Sequence, residues 1–258
     1  MLRIRNLTKV FNIGTINEQR VLSGLNLHIS EGDFVTLIGG NGAGKSTLLN
    51  LIAGVYMPEG GEILLAGEDI TKMPEYKRAA FLGRVFQDPM MGTAADMEII
   101  ENLAIANRRG KRRGLGWGVR KEEKLKFQES LKILDLGLEH RLNVKAGLLS
   151  GGQRQALALL MATIQKPKLL LLDEHTAALD PKTAVRVLEL TEELVEKNKL
   201  TTLMVTHNMK DAIKYGNRLI MMDKGKIVYD VSGEEKKNLK VTDLLEKFEG
   251  FSDRMLLA

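Results

Sequence analysis

The sequence predicts an α/β fold with a mainly parallel sheet flanked by helices and a helical segment inserted near the middle. Three observations carry this expectation. Short apolar runs at Leu169 to Leu172, Thr201 to Val205 and Arg218 to Met222 alternate with the helical stretches Pro181 to Asn198 and Asn208 to Lys214. Such alternation is the signature of strand–helix–strand units. A glycine-rich turn, Gly39 to Ser46, sits between an apolar strand pattern and a helical one. From about residue 90 to 165 the strand signals give way to helical periodicity.

The elements follow in order. Leu25 to Ile29 alternates apolar and polar residues, as a half-buried strand does. Phe34 to Ile38 is a short apolar run ending in glycines, and Lys45 to Ala53 reads as the helix after them. Gly61 to Ala66 reads as a strand closed by Gly67, and Leu82 to Phe86 as one ending at Gln87-Asp88-Pro89. Glu98 to Asn107, Lys121 to Leu134 and Gly151 to Gln165 fit helices, the last stopped near Pro167. The stretch from Glu234 to Ala258 is charged and amphipathic, too short for a further domain of ordinary size.

Composition narrows the class. Of 258 residues, 44% are hydrophobic and 28% charged, ordinary for a water-soluble chain with a sizeable core. No apolar run approaches the ~20 residues needed to span a bilayer, and the first residues lack the apolar stretch of a secretory signal. There is no cysteine, hence no disulfide framework and no thiolate metal site. The net charge of +5 is partly local: Arg108, Arg109, Lys111, Arg112, Arg113, Arg120 and Lys121 cluster in a glycine-broken segment. This segment reads first as a solvated loop and second as a contact for lipid headgroups or an acidic partner.

Gly39-Gly40-Asn41-Gly42-Ala43-Gly44-Lys45-Ser46 matches G-x-x-x-x-G-K-[ST] in the required strand–loop–helix context. Glycines let backbone N–H groups wrap a phosphate, and the following helix N-terminus favours the anion. Lys45 supplies charge for the terminal phosphates, and Ser46 a hydroxyl for Mg²⁺. Leu169 to Leu172 delivers Asp173 and Glu174 to a strand end. There Asp173 can hold Mg²⁺ through water, and Glu174, facing differently, can polarise a water. Leu149-Ser150-Gly151-Gly152-Gln153 is a second glycine-rich, serine-bearing entry to a helix and therefore a second anion cradle.

With the phosphate loop, the serine–glycine turn and the paired acids following one another along the chain, residues 1 to 232 resemble an ATP-binding cassette (ABC) ATPase, the nucleotide-binding subunit of an ABC transporter. The resemblance implies a P-loop nucleoside-triphosphatase core with a mainly parallel sheet, an N-terminal antiparallel β subdomain and a helical subdomain inserted at about 90–165. Residues 233–258 then form a short helical tail. Leu149 to Gln153 is the family signature, whose Ser150, Gly151, Gly152 and Gln153 bind the γ-phosphate of ATP held by the opposing subunit. Gln87 matches the glutamine that senses Mg²⁺ and the attacking water near the transmembrane contact. Asp180 matches the aspartate loop that crosses the dimer interface, and His207 the switch histidine on the γ-phosphate. Phe11 stands where an aromatic stacks on adenine, although a core aromatic of the first hairpin fits the residue equally. Gly39, Asn41, Gly42, Ala43, Gly44, Lys45, Ser46 and Thr47 hold the phosphates.

The chain departs from the family pattern twice. His175 follows Glu174 where the family often has proline, and the helix after Gln153 is largely apolar where the family often has an arginine-rich turn. The implied activity is hydrolysis of ATP with Mg²⁺ by a head-to-tail dimer of two copies. Glu174 acts on water, helped by His207, Gln87 and Lys45. The expected partners are a transmembrane permease and, for an importer, a substrate-binding protein, at the cytoplasmic face of the membrane. The run Asp173 to Thr183 resembles a bacterial subgroup that accompanies such binding proteins, some linked to aromatic amino acids, which favours import of a small solute. The alternatives are an exporter and a soluble ABC ATPase acting on nucleic acid or ribosomes. The latter is disfavoured by the single cassette and the lack of cysteine. A GTPase switch would need a guanine-reading N-K-x-D element, whose spacing Asn208-Met209-Lys210-Asp211 does not fit.

Overall fold

The computed structural model describes residues 1–111 and 118–254, with side chains to residue 247. Arg112 and Arg113 of the basic segment, and the last four residues, lie outside the described residues. Two compact units form: Met1–Pro74 with the chain from Thr201 onward, and Glu75–Leu200.

The first unit opens with β1 (Leu2–Phe11), β2 (Gln19–Ile29), β3 (Phe34–Gly39), α1 (Lys45–Ala53), β4 (Gly60–Leu65) and the short β5 (Glu68–Asp69). The second contains α2 (Glu75–Arg78), β6 (Leu82–Val85), α3 (Ile99–Asn107), α4 (Lys121–Lys132), α5 (Gly151–Thr163), β7 (Leu169–Asp173) and α6 (Pro181–Asn198). The chain then completes the first unit with β8 (Thr202–Val205), α7 (Met209–Lys214), β9 (Arg218–Asp223), β10 (Lys226–Ser232), α8 (Gly233–Lys237) and α9 (Val241–Arg254).

Within the first unit, β2, β1, β4 and β5 form an antiparallel sheet in that order. β1 was not apparent from periodicity, and its geometry explains why. Register shifts interrupt its pairing with β2, and Asn6 adopts a left-handed φ of 47°. Arg5 and Asn6 are consecutive exposed residues, so the two-residue alternation breaks. β3 lies between β8 and β9 and is parallel to both, while β10 adds antiparallel to β9. β10 is likewise irregular, with a register shift between Ile227 and Tyr229. Ile38, Ala212, Leu219, Met221, Val231 and Leu244 form one buried cluster, so α9 contributes Leu244 to this core.

Within the second unit, β6 and β7 pair in parallel. Leu169, Leu170, Leu171 and Leu172 are fully buried, each worth about 1.5–3 kcal/mol relative to exposure. α5 lies close to β6 because Gly83 has no side chain. A Cβ there would stand 2.7 Å from the carbonyl oxygen of Ala162. Phe127 and Leu131 of α4, with Leu134 and Leu138, are also fully buried.

Candidate active site

The first unit supplies the phosphate loop. β3 ends at Gly39, where a Cβ would meet the Met222 carbonyl oxygen at 2.3 Å. Gly42 and Gly44 have φ of 78° and 97°, the left-handed region that glycine enters without penalty. The loop is braced from behind. The Ala43 carbonyl accepts the Gly225 N–H at 3.0 Å, and Ala43 is buried. Lys45 is 5% exposed and folds over the loop, donating from Nζ to the Gly39 and Gly40 carbonyl oxygens at 2.8 and 3.0 Å. Asn41, Gly42 and Ser46 are exposed, and Thr47 is half-buried.

His207 leaves β8 one strand over from this loop. β3 and β8 pair Leu37 with Val205, and the Thr206 N–H donates to the Leu37 carbonyl at 3.2 Å. His207 is exposed. On its far side Asn208 caps α7, its Oδ1 accepting from Lys210 N–H at 2.9 Å. Phe11 lies at the end of β1, half-buried and outside the fully buried core. Its ring meets Tyr56 edge-on with centroids 5.3 Å apart, and the Lys9 ammonium stands 5.0 Å from its centroid. Lys9 is itself held by Glu59 Oε1 and the Met57 carbonyl oxygen, each at 2.8 Å.

The second unit supplies the acids and the signature. β6 and β7 pair Val85 with Leu172, so Gln87 and the pair Asp173-Glu174 leave adjacent strand ends. Arg84 approaches Asp173 Oδ2 at 3.5 Å. Glu174 has a left-handed φ of 47°, and its carbonyl accepts the Ala177 N–H at 2.9 Å. His175 turns inward and is 2% exposed. Its Nε2 lies 3.0 Å from Thr191 Oγ1, and the Thr191 hydroxyl donates to the Val187 carbonyl at 2.7 Å. That hydroxyl has only one proton, so His175 Nε2 carries the proton between them. Burial pushes the imidazole pKa down to about 4, which keeps the ring neutral at neutral pH.

Ser150 caps α5 reciprocally. Its Oγ accepts Gln153 N–H and its own N–H donates to Gln153 Oε1, both at 3.3 Å. Ser150 and Gly151 are exposed, whereas Gly152 is buried against α6. A Cβ on Gly152 would lie 2.1 Å from Thr183 Cγ2. Asp180 caps α6 by accepting Thr183 N–H at 3.1 Å. Hydrogen bonds from Thr183, first its hydroxyl and then its backbone, hold the Asp180 carboxyl below the usual aspartate range.

The apolar look of the helix after Gln153 concealed two polar anchors. Arg154 donates to the carbonyl oxygens of Ala146, Gly147 and Leu149 at 3.2, 2.7 and 3.2 Å, fixing the chain that leads into Ser150. Gln155 is fully buried and donates from Nε2 to the Phe86 carbonyl at 3.0 Å, next to Gln87. The available signal was their polarity in an otherwise apolar helix.

In the basic segment, Arg108 pairs with both Glu123 carboxylate oxygens at 3.0 and 2.8 Å, and Arg109 donates to the Ala162 carbonyl at 3.0 Å. These two arginines brace helices rather than offering a charged surface.

The structure thus groups the phosphate loop with His207 in one unit, and Gln87, Asp173, Glu174, the signature and Asp180 in the other. Among the described residues no group of three or more His, Asp or Glu side chains forms a metal cage. Ser46, Gln87 and Asp173 are oxygen donors with a single carboxylate among them. That donor set fits Mg²⁺, which takes one or two carboxylates and completes its shell with phosphates and water.

A phosphate loop at the end of a parallel strand in one unit, with the acid-tipped strand motif Leu169–Glu174 in the other, defines a nucleoside triphosphatase of the P-loop class. The ABC transporter family model matches residues 22–177, more than half of the chain, and the protein belongs to that family. It is an ATP-binding subunit with ATPase activity. The chain is 47% identical over 249 residues to the "Tyrosine transport ATP-binding protein" of Clostridioides difficile (strain R20291), covering 96% of this chain and 99% of that one. It is 33% identical to the "Xylose/arabinose import ATP-binding protein XylG" of Sulfolobus acidocaldarius, covering 96% and 94%. Among solved structures it resembles the dimeric, ADP- and Pi-bound ATP-binding cassette MJ0796. The TM-score is 0.76 at 30% identity, over 90% of this chain and 98% of that one.

Proposed function

We propose that this chain powers a solute importer as a head-to-tail dimer of two copies docked under a transmembrane permease at the cytoplasmic face. The cargo class is an amino acid, with aromatic ones first, and a substrate-binding protein delivers it. The observation that carries the dimer is the signature turn. Ser150 and Gly151 open the N-terminus of the 13-residue α5 to the outside while Gly152 is packed inward. An anion-binding end presented outward serves a phosphate brought by another chain. The dimeric cassette MJ0796, bound to ADP and Pi, supports the pairing of two copies. The amino-acid cargo is supported by the name of the tyrosine relative, and import by that of the xylose/arabinose relative. Among the described residues no helix is long and apolar enough to cross a membrane.

Gly39 to Thr47 cradle the triphosphate of ATP, with Lys45 on its terminal phosphates, and Phe11 stacks on adenine. Ser150 and the helix-end backbone N–H of Gly152 of the second copy close over the γ-phosphate. Glu174 orients and deprotonates water for in-line attack, while His207 holds the γ-phosphate and Gln87 reports its state. Asp180 crosses the interface beside the signature. Ser46, Asp173 and Gln87 would hold Mg²⁺, which would supply positive charge against the phosphates.

Glu174→Gln tests the scheme. Turnover should fall about 100-fold or more, the scale of a lost general base. The variant should elute as a dimer in gel filtration with ATP and Mg²⁺. A variant that stays monomeric at saturating ATP and hydrolyses normally would sink it. Copurification of a permease, followed by uptake assays with labelled tyrosine in vesicles, identifies the cargo.

A further inference from the structure

Glu174 occupies the left-handed region at φ 47°. Residues with a Cβ enter that region at a cost, because the side chain crowds the backbone. Something outside the residue must therefore impose the conformation. Upstream, the four fully buried leucines of β7 fix the chain as far as Asp173. Downstream, the turn closes through Ala177 N–H to the Glu174 carbonyl at 2.9 Å. Three residues, Glu174, His175 and Thr176, lie between these anchors, and only one of their side chains is buried.

That side chain is His175, 2% exposed and aimed into the unit rather than at solvent. Its Nε2–H donates to Thr191 Oγ1 at 3.0 Å, and Thr191 in turn donates to Val187 at 2.7 Å. The chain of donors has one direction, so the tautomer and the ring plane are fixed together. Thr191 is itself 1% exposed and sits midway along α6, the helix that Asp180 caps and Thr183 packs against Gly152. A buried neutral ring with one partner at each link is a tether, with no part in binding phosphate.

We infer that His175 is a positioning residue for Glu174: by its hydrogen bond to Thr191 it ties the Glu174 turn to α6 and holds the carboxylate in its left-handed setting. The inference rests on the reading that Glu174 acts on the attacking water. It assigns Thr191 and His175 to the hydrolysis step without contact with substrate.

Two pairs of variants in the full-length chain test it. Thr191→Val keeps the shape and removes the hydroxyl, whereas Thr191→Ser keeps the hydroxyl. His175→Met removes the donor, whereas His175→Gln keeps an N–H at the Nε2 position. Thr191→Val and His175→Met should lose about tenfold or more in kcat, because small misalignment of a reacting group is this costly. Binding of a fluorescent ATP analogue should stay within about twofold, since the phosphate loop is elsewhere. Thr191→Ser and His175→Gln should recover most of the rate. If the tether acts through Glu174, adding Thr191→Val to Glu174→Gln should lower the residual rate no further.

The inference is overturned if the hydroxyl-keeping and donor-keeping variants are as slow as their counterparts. It is also overturned if the losses multiply in the double variant, or if kcat is unchanged. Normal turnover by Glu174→Gln alone would instead defeat the reading of Glu174 itself. Melting temperatures of all variants separate a slow folded enzyme from a damaged fold. The second pair leaves Thr191 in place should Thr191→Val not fold.

Discussion

Gly44 illustrates how a single residue carries two demands. Its φ of 97° lies in the left-handed region, and a Cβ would stand 2.8 Å from Leu22 Cδ2. Gly44→Ala should therefore destabilise the chain by roughly 1–3 kcal/mol in urea unfolding, and ATP affinity should fall with it. An alanine variant with unchanged midpoint and affinity would contradict the close packing. The glycine was legible in the sequence because the phosphate motif fixes its place; the Leu22 contact was not, since β2 is remote in the chain. His175 is the converse case. Its type and position were plain, but its role depends on Thr191, sixteen residues later on another element. By sequence Phe11 fits adenine stacking and a core position equally. The structure puts it half-buried against Tyr56 and Lys9, outside the fully buried core.

Helix α6 links three features of the second unit: Asp180 at its start, Thr183 against Gly152, and Thr191 under His175. Thr183 donates its backbone N–H to Asp180 and turns its methyl toward Gly152. Gly152→Ala should therefore abolish ATP-driven dimerisation of the Glu174→Gln protein, and Thr183→Ser, which removes the methyl but keeps the hydroxyl, should restore it. If the double variant is as impaired as Gly152→Ala, Gly152 serves phosphate access alone. The boundaries of α1 and α6 were readable because capping residues and apolar periodicity coincide: Asp180 and Pro181 open α6 at the expected place. β1 and β10 were missed because their register shifts break the alternation that identifies strands.

The whole molecule is proposed to be half of a catalytic unit, and this has a direct test by mixing. Lys45→Ala disables the phosphate loop. Ser150→Asp keeps a good helix cap but sets a negative charge against a phosphate. Each variant alone should be nearly inactive. Their mixture should regain activity, because a mixed dimer contains one intact loop facing one intact signature. Activity no greater than the sum of the two would rule out a site shared between copies. The same logic bears on the basic segment, whose Arg108 and Arg109 are already bound to Glu123 and the Ala162 carbonyl. They supply no support for a nucleic-acid partner.

Residue type and spacing alone set out the chemistry: a phosphate loop, a pair of acids at a strand end and a serine–glycine helix entry. Each is a contiguous run in which residue type and spacing dictate the local backbone and the charge it offers. The tertiary structure decided what holds those groups in place. It revealed the left-handed Glu174, the His175–Thr191 tether, the contact between Gly152 and Thr183, and the grip of Gln155 on the Phe86 carbonyl. These depend on distances between residues far apart along the chain, which packing sets and no local pattern records.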